Sequence, residues 1–211
     1  MPDGLTPDQA ARTPPDRGDA KALALAYAWA KSGWPDFAMY HPIFLAAPGA
    51  RIFGGDLPPG DARRAVSDGA AAVFGPDAAA YGLADALPPA EQTAREAEQR
   101  SAHCDALPES LLPGMVGAQR LRDAALARAV VQALDATGGP VAVITGSGHA
   151  RIDRGIPAVL ARVAPGLRVL SIGQIEGAAG PDEPFDLWIA TDPAPRDDPC
   201  AAFGTGAVQD G

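Results

Sequence analysis

The segment 141–157, VAVITGSGHARIDRGIP, constrains the fold more than any other part of the chain. Its first five residues, 141–145, are apolar or β-branched, which is typical of a short buried strand. Gly146 and Gly148 then break the run where a parallel strand would lead into a helix, and His149 follows. Ligands bind at the carboxyl ends of parallel strands, because loops and helix amino-termini converge there. The segment therefore predicts a site around His149, although a simple tight turn capped by His149 explains the same pattern.

Periodicity predicts an alternation of helices and strands along the rest of the chain. Helices are predicted over 19–31, 61–74, 90–106, 109–136 and 156–163, and further strands over 50–53, 167–172 and 186–190. Strand, helix and strand with short links imply a right-handed parallel unit. We therefore expect an α/β fold with a mostly parallel sheet flanked by helices and a helical insertion. Residues 1–191 are expected to form a single domain and 192–211 a loose tail.

Composition excludes some classes of partner. The chain has 211 residues and a net charge of -9, because 26 acidic residues outnumber 17 basic ones, and this balance argues against binding a nucleic acid. The cysteines Cys104 and Cys200 are too few for a disulfide framework, so both are expected to be free thiols. No apolar run is long enough to span a membrane, and the first twenty residues lack the pattern of a secretion signal. As written, the chain is expected to be soluble.

The predicted helix 109–136 carries polar residues on its apolar face. Its stripe has a gap in the middle and consists of Leu112, Met115, Val116, Leu126, Val130 and Leu134. Gln119 and Asp123 fill that gap. A buried carboxylate is costly unless it is paired, so Asp123 needs a partner, and Arg120 on the flank of the same turn is one candidate. A purely structural polar network would satisfy the same pattern.

The segment 34–44, WPDFAMYHPIF, is the most aromatic part of a chain with only 6% aromatic residues. Such a concentration either closes the end of a core, which is the commoner case, or lines an apolar pocket for a flat ligand. Tyr40 lies inside it. His103 lies near the end of the predicted helix 90–106, where a histidine can simply be a cation stabilised by the helix dipole.

Three motifs, taken together, resemble one family. They are AHCDALP at 102–108, MVGAQRLRDAALA at 115–127, and GSGHA at 146–150 followed by GIP at 155–157. In this order and spacing they resemble the ChaN-like haem-binding lipoproteins of bacteria, which are grouped with erythromycin esterases and Tiki/TraB-type proteins. The similarity spans most of residues 20–190.

The resemblance implies haem binding linked to iron uptake, a tyrosine ligand and a homodimer in which two haems stack. Phenolate is a suitable ligand for ferric iron, so Tyr40 is the expected haem ligand, with His149 and His103 as further haem-binding candidates. Tyr27 and Tyr81 are weaker candidates, because Tyr27 fits a helix core face and Tyr81 lies in a connecting segment. The polar residues expected beside the haem, at the carboxyl edge of the sheet, are Gln119, Arg120, Asp123, Gly146 and Gly148.

The chain also departs from the family pattern. Members usually begin with a strand and helix that carry a Gly-Glu-x-His-type motif, and nothing in MPDGLTPDQ corresponds to it. The family's lipobox and signal peptide are also missing from this sequence. Membrane association is therefore expected only through a lipid anchor outside this sequence, and the compartment stays open.

Two other functions remain compatible with these residues. In a hydrolase, which could be metal-dependent, His149 would act as base or ligand, Asp123 would orient it and Arg120 would stabilise an oxyanion. The missing first motif weakens this hypothesis more than the binding one, so an enzyme is less expected than a binding protein. In a non-catalytic remnant, the same polar cluster would serve packing alone.

Overall fold

The computed structural model describes residues 5–12, 16–58 and 60–201 and is mostly helical. Its α-helices are α1 (Pro7–Ala10), α2 (Ala20–Ala26), α3 (His41–Ala46), α4 (Asp61–Asp68), α5 (Ala70–Phe74), α6 (Pro89–Ala102), α7 (Leu112–Thr137), α8 (Ser147–Ala150) and α9 (Ile156–Val163). Short 3-10 helices cover Trp29–Lys31, Phe37–Met39, Pro76–Ala79 and Glu109–Leu111. Two strands, β1 (Ile172–Glu176) and β2 (Leu187–Thr191), form a parallel sheet. The structure therefore shows only weak α/β character, as a small parallel sheet in a mostly helical protein.

The chain divides into two compact units. The N-terminal unit comprises 1–61 and 125–143, and the sheet unit comprises 62–124 and 144–211. Helix α7 therefore contributes residues to both units. The expectation of one domain over 1–191 stays a prediction.

Local sequence signals explain how the N-terminal unit begins. Thr6 caps α1 in a capping box with Gln9, and Pro7 occupies the first helical position, where its missing N–H costs nothing. Asp19 caps α2 by accepting a hydrogen bond from the Ala22 N–H at 2.9 Å. Helix α2 is shorter than predicted because the chain turns at Ala28, which has a left-handed φ of 51°.

The core of the N-terminal unit is aromatic. Leu23, Tyr27 and Phe37 are buried together, with Phe44 and Leu5 packed against them. The Tyr27 ring meets Phe44 at 5.7 Å between centroids. Tyr27 is therefore confirmed as a core residue, although it is the C-cap of α2 and not a residue within the helix.

The helices of the sheet unit follow the predicted pattern with one break. The predicted helix 61–74 divides into α4 and α5 at Gly69, whose φ of 88° suits glycine. Helices α6, α7 and α9 match their predicted segments closely. The buried apolar residues of the unit include Ala65, Phe74, Leu83, Leu112, Val116, Leu121, Ile156, Leu160 and Phe185.

The strands were predicted less well than the helices. Strand β2 lies within one residue of the predicted 186–190, whereas β1 starts where the predicted strand 167–172 ends. The predictions for 50–53 and 141–145 are wrong, since neither segment pairs with a strand in the described part of the chain. The side chain of Ile144 is 61% exposed rather than buried. An apolar run becomes a strand only when its backbone groups find ladder partners, and local sequence does not supply these.

The two cysteines form a disulfide, so the prediction of free thiols is wrong. The Cα atoms of Cys104 and Cys200 lie 5.4 Å apart although 96 positions separate them in sequence. An ion pair between Arg196 and Glu176 also fastens the segment after β2. The final residues of the predicted loose tail, 202–211, lie outside the described residues. Within the described ranges, no helix is both long and apolar enough to cross a membrane.

Candidate functional site

A polar cluster forms in the sheet unit where α7 meets α8. Gln119 and Asp123 are four residues apart and share one face of α7. The Oδ1 atom of Asp123 lies 2.6 Å from Nδ1 of His149, on α8. The amide nitrogen of Gln119 lies 3.0 Å and 3.5 Å from the two ring nitrogens of His149. Three of the predicted site residues, from two distant stretches of sequence, are thus brought together.

Asp123 is the most deeply buried member of the cluster, at 2% exposure. Burial is the largest influence on its carboxyl group and raises the pKa of Asp123, whereas the hydrogen bond and charge of His149 oppose that rise. The required partner of Asp123 is therefore His149 and not Arg120. An Asp that accepts the Nδ1 proton fixes the imidazole tautomer and leaves Nε2 as the proton-accepting nitrogen.

Glycine is required on one side of His149 but not on the other. A Cβ atom on Gly155 would lie 2.3 Å from the carbonyl oxygen of His149, so only glycine lets the chain pass there. A Cβ atom on Gly146 or Gly148 would meet nothing within 4 Å. Gly146 and Gly148, the two glycines predicted from sequence, therefore have space for a side chain. The glycine that the local packing requires is Gly155, in the GIP segment at 155–157.

Arg120 and His103 make other contacts within the sheet unit. The Arg120 guanidinium donates hydrogen bonds to the carbonyl oxygens of Gly82 and Asp85, and burial lowers the pKa of Arg120. The ring of His103 caps α6, because its Nδ1 lies 2.8 Å from the Gln99 carbonyl oxygen. Both residues hold loops and helix ends in place.

Arg95 acts electrostatically on Asp123 of the cluster, and the sequence did not predict it as a site residue. Helix α6 has the E/Q/R-rich pattern of a solvated helix, yet the Arg95 side chain is buried, paired with Glu91, and leaves its Nε without a partner. Its positive charge lowers the pKa of Asp123, as does that of Arg154. No sequence signal separates Arg95 from the exposed charges around it. Among the described residues, no group of three or more His, Cys, Asp or Glu side chains is arranged to hold a metal ion.

A second candidate site is an aromatic cluster in the N-terminal unit, formed by Trp29, Trp34, Phe37 and Tyr40. The Tyr40 ring contacts two indoles, 4.9 Å from Trp29 and 5.3 Å from Trp34 between centroids, and these indoles lie 6.0 Å from each other. Phe37 joins this cluster to the buried core, 5.0 Å from Trp29. Phe37 therefore fills the core, as in the commoner of the two alternatives, while Tyr40 packs against that core and stays half-exposed. Lining of a ligand pocket by this segment stays a prediction.

The Tyr40 phenol is partly buried beside other aromatic rings. Desolvation raises the pKa of Tyr40. The neighbouring Met39 is 70% exposed and the indole Nε1 of Trp34 is buried without a hydrogen-bond partner. His41 is engaged elsewhere, because its Nε2 lies 2.7 Å from the carbonyl oxygen of Arg17. Tyr81, a weaker candidate, lies in the sheet unit and packs on Phe74 with 4.8 Å between ring centroids.

Comparison with known proteins identifies the family. No curated protein and no solved structure matches the chain. A family model described as "Haem-binding uptake, Tiki superfamily, ChaN" matches residues 8–160, which include the aromatic cluster and the polar cluster. The resemblance inferred from the three motifs is thus confirmed over most of the chain. The chain belongs to the ChaN family of haem-binding uptake proteins in the Tiki superfamily.

Proposed function

We propose that this protein binds haem as part of haem or iron uptake, and that Tyr40 in the aromatic cluster is the iron ligand. The observation that carries the proposal is the position of the Tyr40 phenol, half-exposed and in contact with Trp29 and Trp34 in a chain of the haem-binding ChaN family. A flat macrocycle needs apolar and aromatic walls, and a phenolate is a hard ligand suited to ferric iron.

The residues present fit such a ligand. Three apolar side chains close to Tyr40 in sequence, Met39, Ile43 and Leu45, are exposed. Exposed apolar side chains of this size cost solubility and favour a partner or ligand that covers them. The raised pKa of Tyr40 means that the free protein holds a neutral phenol, which must lose its proton to bind iron. Haem supplies the iron and the flat apolar surface, and this chain supplies the walls and the oxygen ligand.

The test is a hemin titration of the purified chain followed by absorbance. We expect saturable binding near one haem per chain, with a ferric spectrum that changes in the variant Tyr40→Phe. Tyr81→Phe is the matched control, because it removes the same hydroxyl from a residue in the sheet unit. An unchanged Soret band in Tyr40→Phe would remove Tyr40 from the ligand role, and non-saturating binding by the parent chain would reject haem binding itself.

A second candidate function rests on the polar cluster. The buried pair of Asp123 and His149 has the form of an oriented general base, in which the carboxylate holds the imidazole and Nε2 accepts a proton from substrate or water. Such a pair supports hydrolysis of an ester or a related bond.

Esterase assays with an activated ester test this candidate. Catalysis by the pair predicts turnover that falls by about 100-fold or more in His149→Gln and less in Asp123→Asn. His103→Gln is the matched control, since His103 only caps α6. Equal turnover in all three proteins would leave the pair with a packing role, in which His149→Ala costs stability without affecting any ligand.

A further inference from the structure

We infer that the sheet unit binds one small oxyanion, a phosphate or a carboxylate, between the guanidinium groups of Arg95 and Arg120 at the start of α6. Around these two side chains the fold leaves a hydrogen-bond donor and a positive charge unmatched. An anion here would bind independently of haem at Tyr40 and of catalysis by His149.

Arg95 presents a buried donor without an acceptor. Its side chain is only 9% exposed and lies on the face of α6 that carries Glu91 one turn earlier. Glu91 accepts from one terminal nitrogen of the guanidinium, whereas Nε has no hydrogen-bond partner in the described part of the chain. Leaving a buried donor unpaired costs free energy, and such donors are rare in folded proteins. The Nε–H of Arg95 is therefore a donor that a ligand would satisfy.

Arg120 brings a second guanidinium to the same end of α6. One of its terminal nitrogens donates to the carbonyl oxygens of Gly82 and Asp85, and Asp85 lies four residues before the helix begins. Arg95 reaches back towards the same turn, since its partner Glu91 is the third residue of α6. Burial lowers the pKa of Arg120, and the positive charge of Arg95 is the next-largest influence in that direction. Two like charges held this close are stabilised by an anion between them.

The carboxylates beside these guanidinium groups do not balance their charge. Arg162, which also lowers the pKa of Arg120, pairs with Asp85 at 2.7 Å, and Arg95 pairs with Glu91. Asp85 and Glu91 are the carboxylates that act on Arg120, so three cationic side chains face two anionic ones. One positive charge is left over although the whole chain has a net charge of -9. A single bound anion would neutralise this group.

The donors around the start of α6 suit a small oxyanion. Guanidinium groups bind carboxylate and phosphate oxygens through parallel hydrogen bonds, and the first turn of a helix adds backbone N–H donors. Helix α6 begins at Pro89, and its cap Pro88 has no side chain that can accept a hydrogen bond from this turn. The first backbone N–H groups of α6 can therefore serve a bound anion. Because Arg95 also acts on Asp123, the anion would lie on the flank of the polar cluster.

The test is isothermal titration calorimetry of the full, oxidised chain without hemin, with sodium phosphate and sodium acetate as separate titrants at constant ionic strength. We expect saturable binding of one anion per chain. Arg120→Gln removes one guanidinium and should weaken binding by about tenfold or more. Arg95→Lys keeps the charge but loses the Nε donor, and should weaken binding about threefold. Arg168→Gln is the matched control, because it removes the same charge from an exposed arginine of the sheet unit.

The two titrants distinguish the anions. Saturable binding of phosphate alone, of acetate alone or of both supports the site and identifies what it accepts, whereas heats of dilution with both anions overturn it. An Arg120→Gln or Arg95→Lys protein that circular dichroism shows folded, and that binds as tightly as the parent, also overturns it. An equal loss in Arg168→Gln would mean attraction by net charge alone and no site. Because hemin is absent throughout, failure here leaves the proposed haem function untouched, and failure of haem binding leaves this result untouched.

Discussion

Removal of the disulfide is expected to cause the largest loss of stability among the changes considered for this chain. The double variant Cys104→Ser/Cys200→Ser opens a loop whose ends are separated by 96 positions. In the chain-entropy description, cross-linking a loop of this length removes enough freedom from the unfolded chain to stabilise the native state by about 4.7 kcal/mol at 25 °C. At about 2–4 °C per kcal/mol for a chain of this size, the midpoint of thermal unfolding should fall by about 10–20 °C.

The assay is urea unfolding followed by circular dichroism, with the oxidised parent chain, the parent chain reduced by dithiothreitol and the double variant side by side. The reduced parent and the variant should unfold together, because both lack only the cross-link. Two findings would refute the reasoning. One is a pair of reactive thiols in the unfolded, unreduced parent chain. The other is a loss below about 1 kcal/mol, which would mean that the unfolded chain already keeps this loop closed.

Three further predictions concern the two candidate sites. Gly155→Ala should lower the free energy of unfolding, measured by urea unfolding, by about 2–3 kcal/mol, because the new Cβ atom collides with the His149 carbonyl oxygen. The control is Gly148→Ala, whose Cβ atom would meet nothing within 4 Å and should change this free energy by less than about 0.5 kcal/mol. The raised pKa of Asp123 means that the native state binds the carboxyl proton more tightly than the unfolded state does. As pH rises above the ordinary pKa of Asp, the parent chain should therefore lose stability relative to Asp123→Asn. Parallel profiles of stability against pH for the two proteins would contradict this prediction. Ligation by Tyr40 should release one proton, so hemin affinity should rise about tenfold per pH unit below the phenol pKa, and a titration insensitive to pH would speak against a phenolate ligand.

Sequence reasoning predicted the elements that local signals determine. The gap in the apolar stripe of α7 identified Gln119 and Asp123 as inward-facing, and the described structure buries Asp123. Helix α2 begins directly after its cap Asp19, the first residue of the predicted segment 19–31. These features depend on interactions within one or two helical turns, so the residues that decide them are adjacent in sequence.

The predictions that were wrong concern features that depend on contacts between residues distant in sequence. The apolar run 141–145 has the composition of a strand, but no neighbouring strand in the described residues pairs with it. The choice of His149 rather than Arg120 as the partner of Asp123 joins α7 to α8 across 26 positions. The pairing of Cys104 with Cys200 likewise follows from where the chain returns after β2. Local periodicity does not indicate which of these residues, distant in sequence, contact one another.

The exposure of β2 has a consequence for handling the protein. Leu187–Thr191, LWIAT, is β-prone and uncharged, and it lies at the edge of the small sheet. An accessible segment of this kind can template cross-β aggregation when molecules approach closely. Near neutral pH the net charge of -9 keeps molecules apart. Acidification protonates the carboxylates and removes that repulsion, so turbidity and precipitation should begin at mildly acidic pH, before the fold itself unfolds.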